Sequence, residues 1–509
     1  MTLRTKIAVL LGGCGVLLWI AIPAVGLWWM LRPAPPKPSL QVTLDDAGPY
    51  VILATEKSRM AYAPAIEKAL ALHGGAERLD FDPDDLDGLL DSLRKIQPRY
   101  ALVFIQPDEL DVNFGWRWLT MTSRIDDDPF VDVRTGFITG DTPEAANRFV
   151  ERIAEAVAGR SQLPGALVDN LGPAETATKY FNTFPQAMML PVKFEERFTP
   201  RQISHGKGSF TDDRLAALEG AGLIHFGGHG HPDCIDDGVK AAQVPRLKLS
   251  PCVVFNGACY TGVTHRWYDQ VTRTISEKTV EPGDSFCLNL LQNDVLAHLA
   301  ALHPDHGMPV YQEMEFLATE GASLGDVIKH TYDGVVLGAG GKLPDFESLA
   351  AGAASPNWMP ADFMLKGTAS RILLGDPALA VSDAFLTAPF AVKTAVEGNH
   401  LRVTATLANA DLKSTYTDTY HNDLNEKAPF NDRALIVVDL PDGWDAVTGI
   451  EATKITARKK ELPHRVVGYA VETDGDRRRL HVQIDVPAKG FQQSPLRVAG
   501  ATVEFAVTR

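Results

Sequence analysis

Apolar and polar positions alternate along this chain in two different rhythms. Up to about Ala388, short apolar runs are separated by stretches of helical periodicity. Tyr50–Ala54 and Tyr100–Ile105 read as buried strands. Ala61–His73 and Asp84–Ile96 read as helices, the first stopped by Gly74 and Gly75. Thr142 can cap a helix with Pro143 at its first position. Ala146, Phe149, Val150, Ile153 and Val157 then fall on one face. The alternation resumes near residue 200 with a helix over Thr211–Glu219 and strands over Leu223–Phe226 and Pro251–Phe255. Helices are expected over 285–302 and 308–332, and Ile372–Leu374 is a short apolar run into a turn. Strands alternating with helices predict an α/β fold with a parallel sheet flanked by helices. After Ala388 period two takes over, in Leu401–Leu407, Leu480–Val486 and Val503–Val507. That texture predicts a β-sandwich of about 120 residues.

The amino terminus follows neither rhythm. No charge interrupts Ile7–Leu31, and about 20 apolar residues suffice to cross a bilayer. Trp28 and Trp29 stand where an interfacial belt would be. The run is too long for a simple cleaved signal and too free of polar residues for an ordinary buried helix. It predicts a transmembrane helix. Arg4 and Lys6 precede it, while Arg32 and Lys37 follow. With the terminal amine counted, positive charge favours a cytoplasmic amino terminus and an exported body, periplasmic or extracellular. Leu11-Gly12-Gly13-Cys14 has the look of a lipobox, but the apolar run continues well beyond it, so the match reads as chance. Pro33, Pro35, Pro36 and Pro38 form a stiff spacer.

With 509 residues, several domains are expected. The texture divides the chain into an anchor and linker over 1–39, α/β subdomains over 40–170 and 171–387, and the β-rich tail over 388–509. A hydrophobic share of 45% and a charged share of 22% are those of a globular protein. The net charge of −15 leaves no basic footprint for nucleic acid. Five cysteines are too few for a disulfide scaffold and lack zinc-finger spacing.

Two segments carry candidate chemistry. Leu223–Phe226 runs into Gly227-Gly228-His229-Gly230, and Val253–Phe255 runs into Asn256-Gly257-Ala258-Cys259. In an open parallel sheet, sites lie beyond the carboxyl ends of the strands. His229 and Cys259 are therefore expected on one sheet edge. A thiol beside an imidazole is the minimal activated nucleophile, and the glycines let a substrate carbonyl approach backbone N–H donors.

The Gly228-His229-Gly230 and Cys259-x-x-Gly262 turns resemble those of gingipain-type cysteine peptidases, of the clan that includes caspases and legumains. Asp127–Val133 with Gly136-Phe137-Ile138, followed by Thr142-Pro143-Glu144-Ala145, is similar to the family's upstream segment. Leu373–Leu379 is similar to the segment closing its catalytic domain, and the tail from 388 to its immunoglobulin-like domain. The resemblance implies a caspase-like core and a protein or peptide substrate. It implies Cys259 as nucleophile, His229 as general base and acid, and the N–H groups of Gly230 and Cys259 as oxyanion donors. An upstream acidic residue orienting the imidazole is also implied, with Asp169 as the candidate by position. No cofactor is required.

Other readings stand beside this one. His229-x-His231-x-Asp233 has zinc-ligand spacing, with His265, His298, His303 and His306 as possible distant ligands. A non-catalytic, membrane-tethered binding or assembly module on a degenerate peptidase fold is the third. Asp126-Asp127-Asp128 suits structural calcium or a solvated acidic turn. Cys234, Cys252 and Cys287 are expected buried and reduced, with one disulfide among them conceivable in an exported body. His225 reads as a core histidine, and Trp116 and Trp118 as core or lid.

Overall fold

The computed structural model describes residues 37–509 except 172–193, 195–196, 205–215, 217, 236–238, 270–271, 273, 306–308, 347–360, 410–415, 418–429, 445, 476, 489–494 and 497. One eleven-stranded sheet runs through the α/β region. Its strands in chain order are β1 (Lys37–Leu40), β2 (Tyr50–Thr55), β3 (Glu77–Phe81), β4 (Tyr100–Phe104), β5 (Arg134–Ile138) and β6 (Leu163–Leu171). There follow β7 (Thr199–Ser204), β8 (Leu223–Phe226), β9 (Cys252–Asn256), β10 (Val295–Ala301) and β11 (Arg371–Gly375). They lie in the order β1-β6-β8-β9-β10-β11-β5-β4-β2-β3, with β7 against β6.

The sheet has two parallel halves. In one, β3, β2, β4, β5 and β11 run together; in the other, β7, β6, β8, β9 and β10 do. The halves meet at β10 and β11, which pair antiparallel. Consequently the carboxyl ends of β8, β9 and β10 share an edge with the amino end of β11. The strands β4, β5, β8, β9, β10 and β11 are buried throughout. This is why β4, β8, β9 and β10 read as nearly continuous apolar runs rather than alternating ones.

The helices are α1 (Glu56–Ala61), α2 (Ala63–Leu72), α3 (Asp87–Ile96), α4 (Val112–Thr122), α5 (Pro143–Val157), α6 (Phe286–Leu291), α7 (Pro309–Glu320), α8 (Leu324–Gly338) and α9 (Ala361–Ala369). Thr142 caps α5 as expected, its hydroxyl accepting from Ala145 N at 3.1 Å. The expected helix over 285–302 is instead a short helix, α6, and the core strand β10. Over 308–332 there are two helices, α7 and α8, parted at Gly321, whose φ is +60°. The expected helix over Thr211–Glu219 falls mostly outside the described residues.

Beyond the sheet come β12 (Phe390–Glu397), β13 (His400–Leu407), β14 (Phe430–Asp439), β15 (Gly449–Ala457), β16 (Arg465–Asp474), β17 (Arg477–Ala488) and β18 (Thr502–Thr508). One antiparallel sheet has the order β12-β13-β18-β15 with the short strand Lys460–Glu461 at its edge. The other has Tyr416–Thr417, β14, β17 and β16. Leu401, Val403, Val503 and Phe505 of the first share one apolar core with Ile436, Val438, Val482 and Ile484 of the second. No helix among the described residues is long and apolar enough to cross a membrane. Ile7–Leu31, with Cys14, lies outside the described residues.

Candidate functional site

Parallel pairing of β8 with β9 sets Phe226 opposite Asn256. His229 and Cys259 each follow three residues after that rung. Gly257 N donates to Phe226 O at 2.8 Å, so the two turns leave the sheet bonded to each other. Gly228 has φ +116°, a conformation that favours glycine and swings the chain back toward β9. Gly230 then lies directly on the cysteine. A Cβ there would stand 2.2 Å from Cys259 O and 2.8 Å from Cys259 N. Only glycine permits that approach. His229 itself is exposed and, among the described residues, has no hydrogen-bonding partner.

The cysteine turn is tightly built. Asn256 Oδ1 accepts from Ala258 N at 3.0 Å, and Thr261 Oγ1 donates to Ala258 O at 2.9 Å. Gly262 N donates to Ala301 O at 2.9 Å, tying the turn to the end of β10. Tyr260, next to the thiol, has φ +61°, which costs a non-glycine residue about 1–3 kcal/mol. Cys259 is half-buried. Its thiol donates to Asp305 O at 3.0 Å, and Asp305 N donates back to the sulfur at 3.3 Å. Burial, followed by the charge of Asp305, pushes the thiol pKa up to about 11 against the pull of the Asp305, Gly230 and Cys259 N–H groups. The resting cysteine is a thiol, and a base must take its proton before it can attack.

Asp169 lies in β6 opposite His225; its side chain is outside the described residues. Gly230 and Cys259 are brought together. His229, His231 and Asp233 are all exposed and form no ligand cluster. His231 pairs with Cys234 in a small hairpin instead. His298 and His303 are buried and held neutral, their pKa values lowered by burial to about 3 and about 4. His306 is outside the described residues. The zinc reading thus lacks a ligand set among the described residues.

Among the described residues, Asp126, Asp128 and Asp132 form a group of carboxylates that could hold a metal, with Asp132 in place of the expected Asp127. Cys252 and Cys287 are buried free thiols, and burial raises both pKa values, Cys252 to about 12. Cys234 is only half-buried, against expectation, and forms no disulfide among the described residues. His225 is buried with its ring edge-on to Tyr311. Trp118 is core, its Nε1 donating to Thr135 Oγ1 at 3.0 Å; Trp116 is buried beside His303.

Sequence reasoning missed Asp305, Glu313 and Arg371. They form a buried ion triad under the cysteine, Arg371 reaching Asp305 and Glu313 at 2.6 Å each. A lone arginine at the head of an apolar strand was the available signal, since such a charge must be paired to be buried.

No family model and no curated protein matches this chain. Among solved structures it is similar to one described as "Structure of Protease", at 9% identity and a TM-score of 0.44, over 91% of this chain and 98% of that one. It is also similar to the complex of Porphyromonas gingivalis RgpB pro- and mature domains, at 10% identity and a TM-score of 0.43, over 91% and 100%. The Arg-specific cysteine proteinase gingipain R gives 9% identity and a TM-score of 0.40 over 92% and 99%.

Proposed function

We propose that this chain is a cysteine peptidase in which Cys259 attacks the substrate carbonyl and His229 takes the thiol proton and later returns it to the leaving amine. The carbon–sulfur bond forms as the peptide C–N bond breaks, and water then hydrolyses the thioester. The N–H groups of Gly230 and Cys259 stabilise the oxyanion. The observation that carries the reading is the contact of Gly230 with the Cys259 backbone, which sets the histidine turn on the cysteine turn at the carboxyl edge of the sheet. The Ile7–Leu31 run would anchor the body to a membrane on the exported side, and the two terminal sheets would be an immunoglobulin-like sandwich.

An acyl-transfer probe tests the nucleophile. Cys259→Ala abolishes labelling while Cys252→Ala leaves it intact; equal labelling of the two variants removes the assignment. The high thiol pKa and the unpartnered His229 favour a second reading, a non-catalytic binding module. Wild-type protein that takes up no probe and cleaves no peptide would select it.

A further inference from the structure

Arg371 heads the strand that joins the two halves of the sheet, and its side chain has no exposure to solvent. Nε and Nη2 donate to the two oxygens of Glu313 at 2.6 and 2.7 Å. Nη1 donates to Asp305 Oδ2 at 2.6 Å and to the main-chain oxygen of Asn256 at 2.9 Å. Burying such a triad is expensive, and apolar residues of similar volume often stabilise a core as well. Its presence here calls for another reason. Two of the three groups it grips lead to Cys259. Asn256 ends the strand that delivers the cysteine. The main chain of Asp305 holds the sulfur from both sides. The third, Glu313, fixes the guanidinium to α7 and is itself held by Thr331 Oγ1 at 3.1 Å.

We propose that Arg371 is a positioning residue for the nucleophile: it locks the Asn256 strand end and the Asp305 loop at one spacing and so sets where the Cys259 sulfur stands. The proposal rests on Cys259 being the nucleophile. A misplacement of about 1 Å at a reacting atom costs on the order of 10²-fold in rate. It acts on turnover rather than on substrate binding. A lysine keeps the charge but not the planar fork, so it cannot hold all three partners.

The test uses the full-length chain carrying Arg371→Lys or Asp305→Asn, each assayed well below its own unfolding transition. Arg371→Lys lowers kcat about 10²-fold with KM within about twofold. Asp305→Asn moves the pH midpoint of Cys259 alkylation by iodoacetamide downward, because the carboxylate opposing the thiolate is gone. Mass spectrometry of the cysteine peptide reads that midpoint. A kcat for Arg371→Lys within about threefold of wild type, or an unmoved midpoint in Asp305→Asn, overturns the proposal. Where Arg371→Lys fails to fold, Glu313→Gln replaces it, freeing the same guanidinium from its anchor, with kcat lowered about 10-fold and the same criteria. Wild-type protein that takes up the acyl-transfer probe at Cys259 but cleaves no peptide overturns the peptidase reading alone, and the rate of probe uptake then replaces kcat as the readout for Arg371→Lys. The alkylation midpoint then decides the link between Asp305 and the cysteine.

Discussion

Asp132 shows how much a single side chain's surroundings decide. Its Oδ2 is buried without a hydrogen-bond partner, and Asp126 and Asp128 stand close by. Burial first, and then the two neighbouring charges, raise its pKa to about 8. A carboxyl that binds its proton more tightly folded than unfolded contributes stability below its unfolded pKa, near 4. That stability is lost as pH rises toward and past 8. Asp132→Asn keeps the neutral shape at every pH. It should raise Tm at pH 8 by on the order of 2–4 °C and leave Tm at pH 4 nearly unchanged. A thermal scan giving equal shifts at both pH values would refute this account. The sequence showed an acidic run here but not which carboxylates meet, because Asp132 arrives through the fold of the turn. The His229 and Cys259 turns stood out in the sequence for the opposite reason. Each lies in a glycine-containing turn just after an apolar strand. Arg371 carried only the signal of a lone arginine heading an apolar strand, and Asp305 and Glu313 carried none; the three meet because β10 and β11 pair antiparallel.

At the scale of elements, α5 was readable to the residue because its start is written in chemistry: a capping threonine, then proline, then a one-sided apolar stripe. Thr142→Ala removes the acceptor for Ala145 N and should cost about 1 kcal/mol, whereas Thr142→Ser keeps it. Urea unfolding of the two variants measures the difference, and equal losses would deny the cap its role. The late strands β13 and β18 were equally plain, since each has one buried face and alternates; β17 alternates in sequence although both of its faces are buried over Leu480–Val486. The segment 285–302 was not. Val295–Ala301 is buried on both faces and wholly apolar save His298. Such a run has neither period, and a buried helix and a central strand look alike. The break between α7 and α8 was hidden too, because apolar residues continue on either side of Gly321.

At the scale of the whole molecule, a charged knot lies where the α/β body meets the terminal sheets, beside apolar contacts of Phe130, Val336 and Leu337 with Ala470. Lys329 on α8 is buried, and its Nζ lies 2.9 Å from Asp333 and 2.6 Å from Glu472 on β16. Glu472 also takes His481 at 2.8 Å and Arg479 at 3.0 Å, both from β17. Beside the knot a cavity of about 480 Å³ opens between α7, α8 and the sheet of β14, β16 and β17. At this junction Lys329 is the cation that two carboxylates share. Removing it leaves Asp333 and Glu472 buried with less positive charge between them, at a cost of about 3–5 kcal/mol. Lys329→Met should therefore lower the stability by that amount and loosen the terminal sheets from the body. Differential scanning calorimetry would show an earlier transition for the sheets, separated from that of the body. Lys329→Met combined with Glu472→Gln should recover part of the loss, because the stranded charge is removed as well. A single unchanged transition in Lys329→Met would mean that the apolar contacts around Phe130, Val336 and Leu337 hold the junction without the knot.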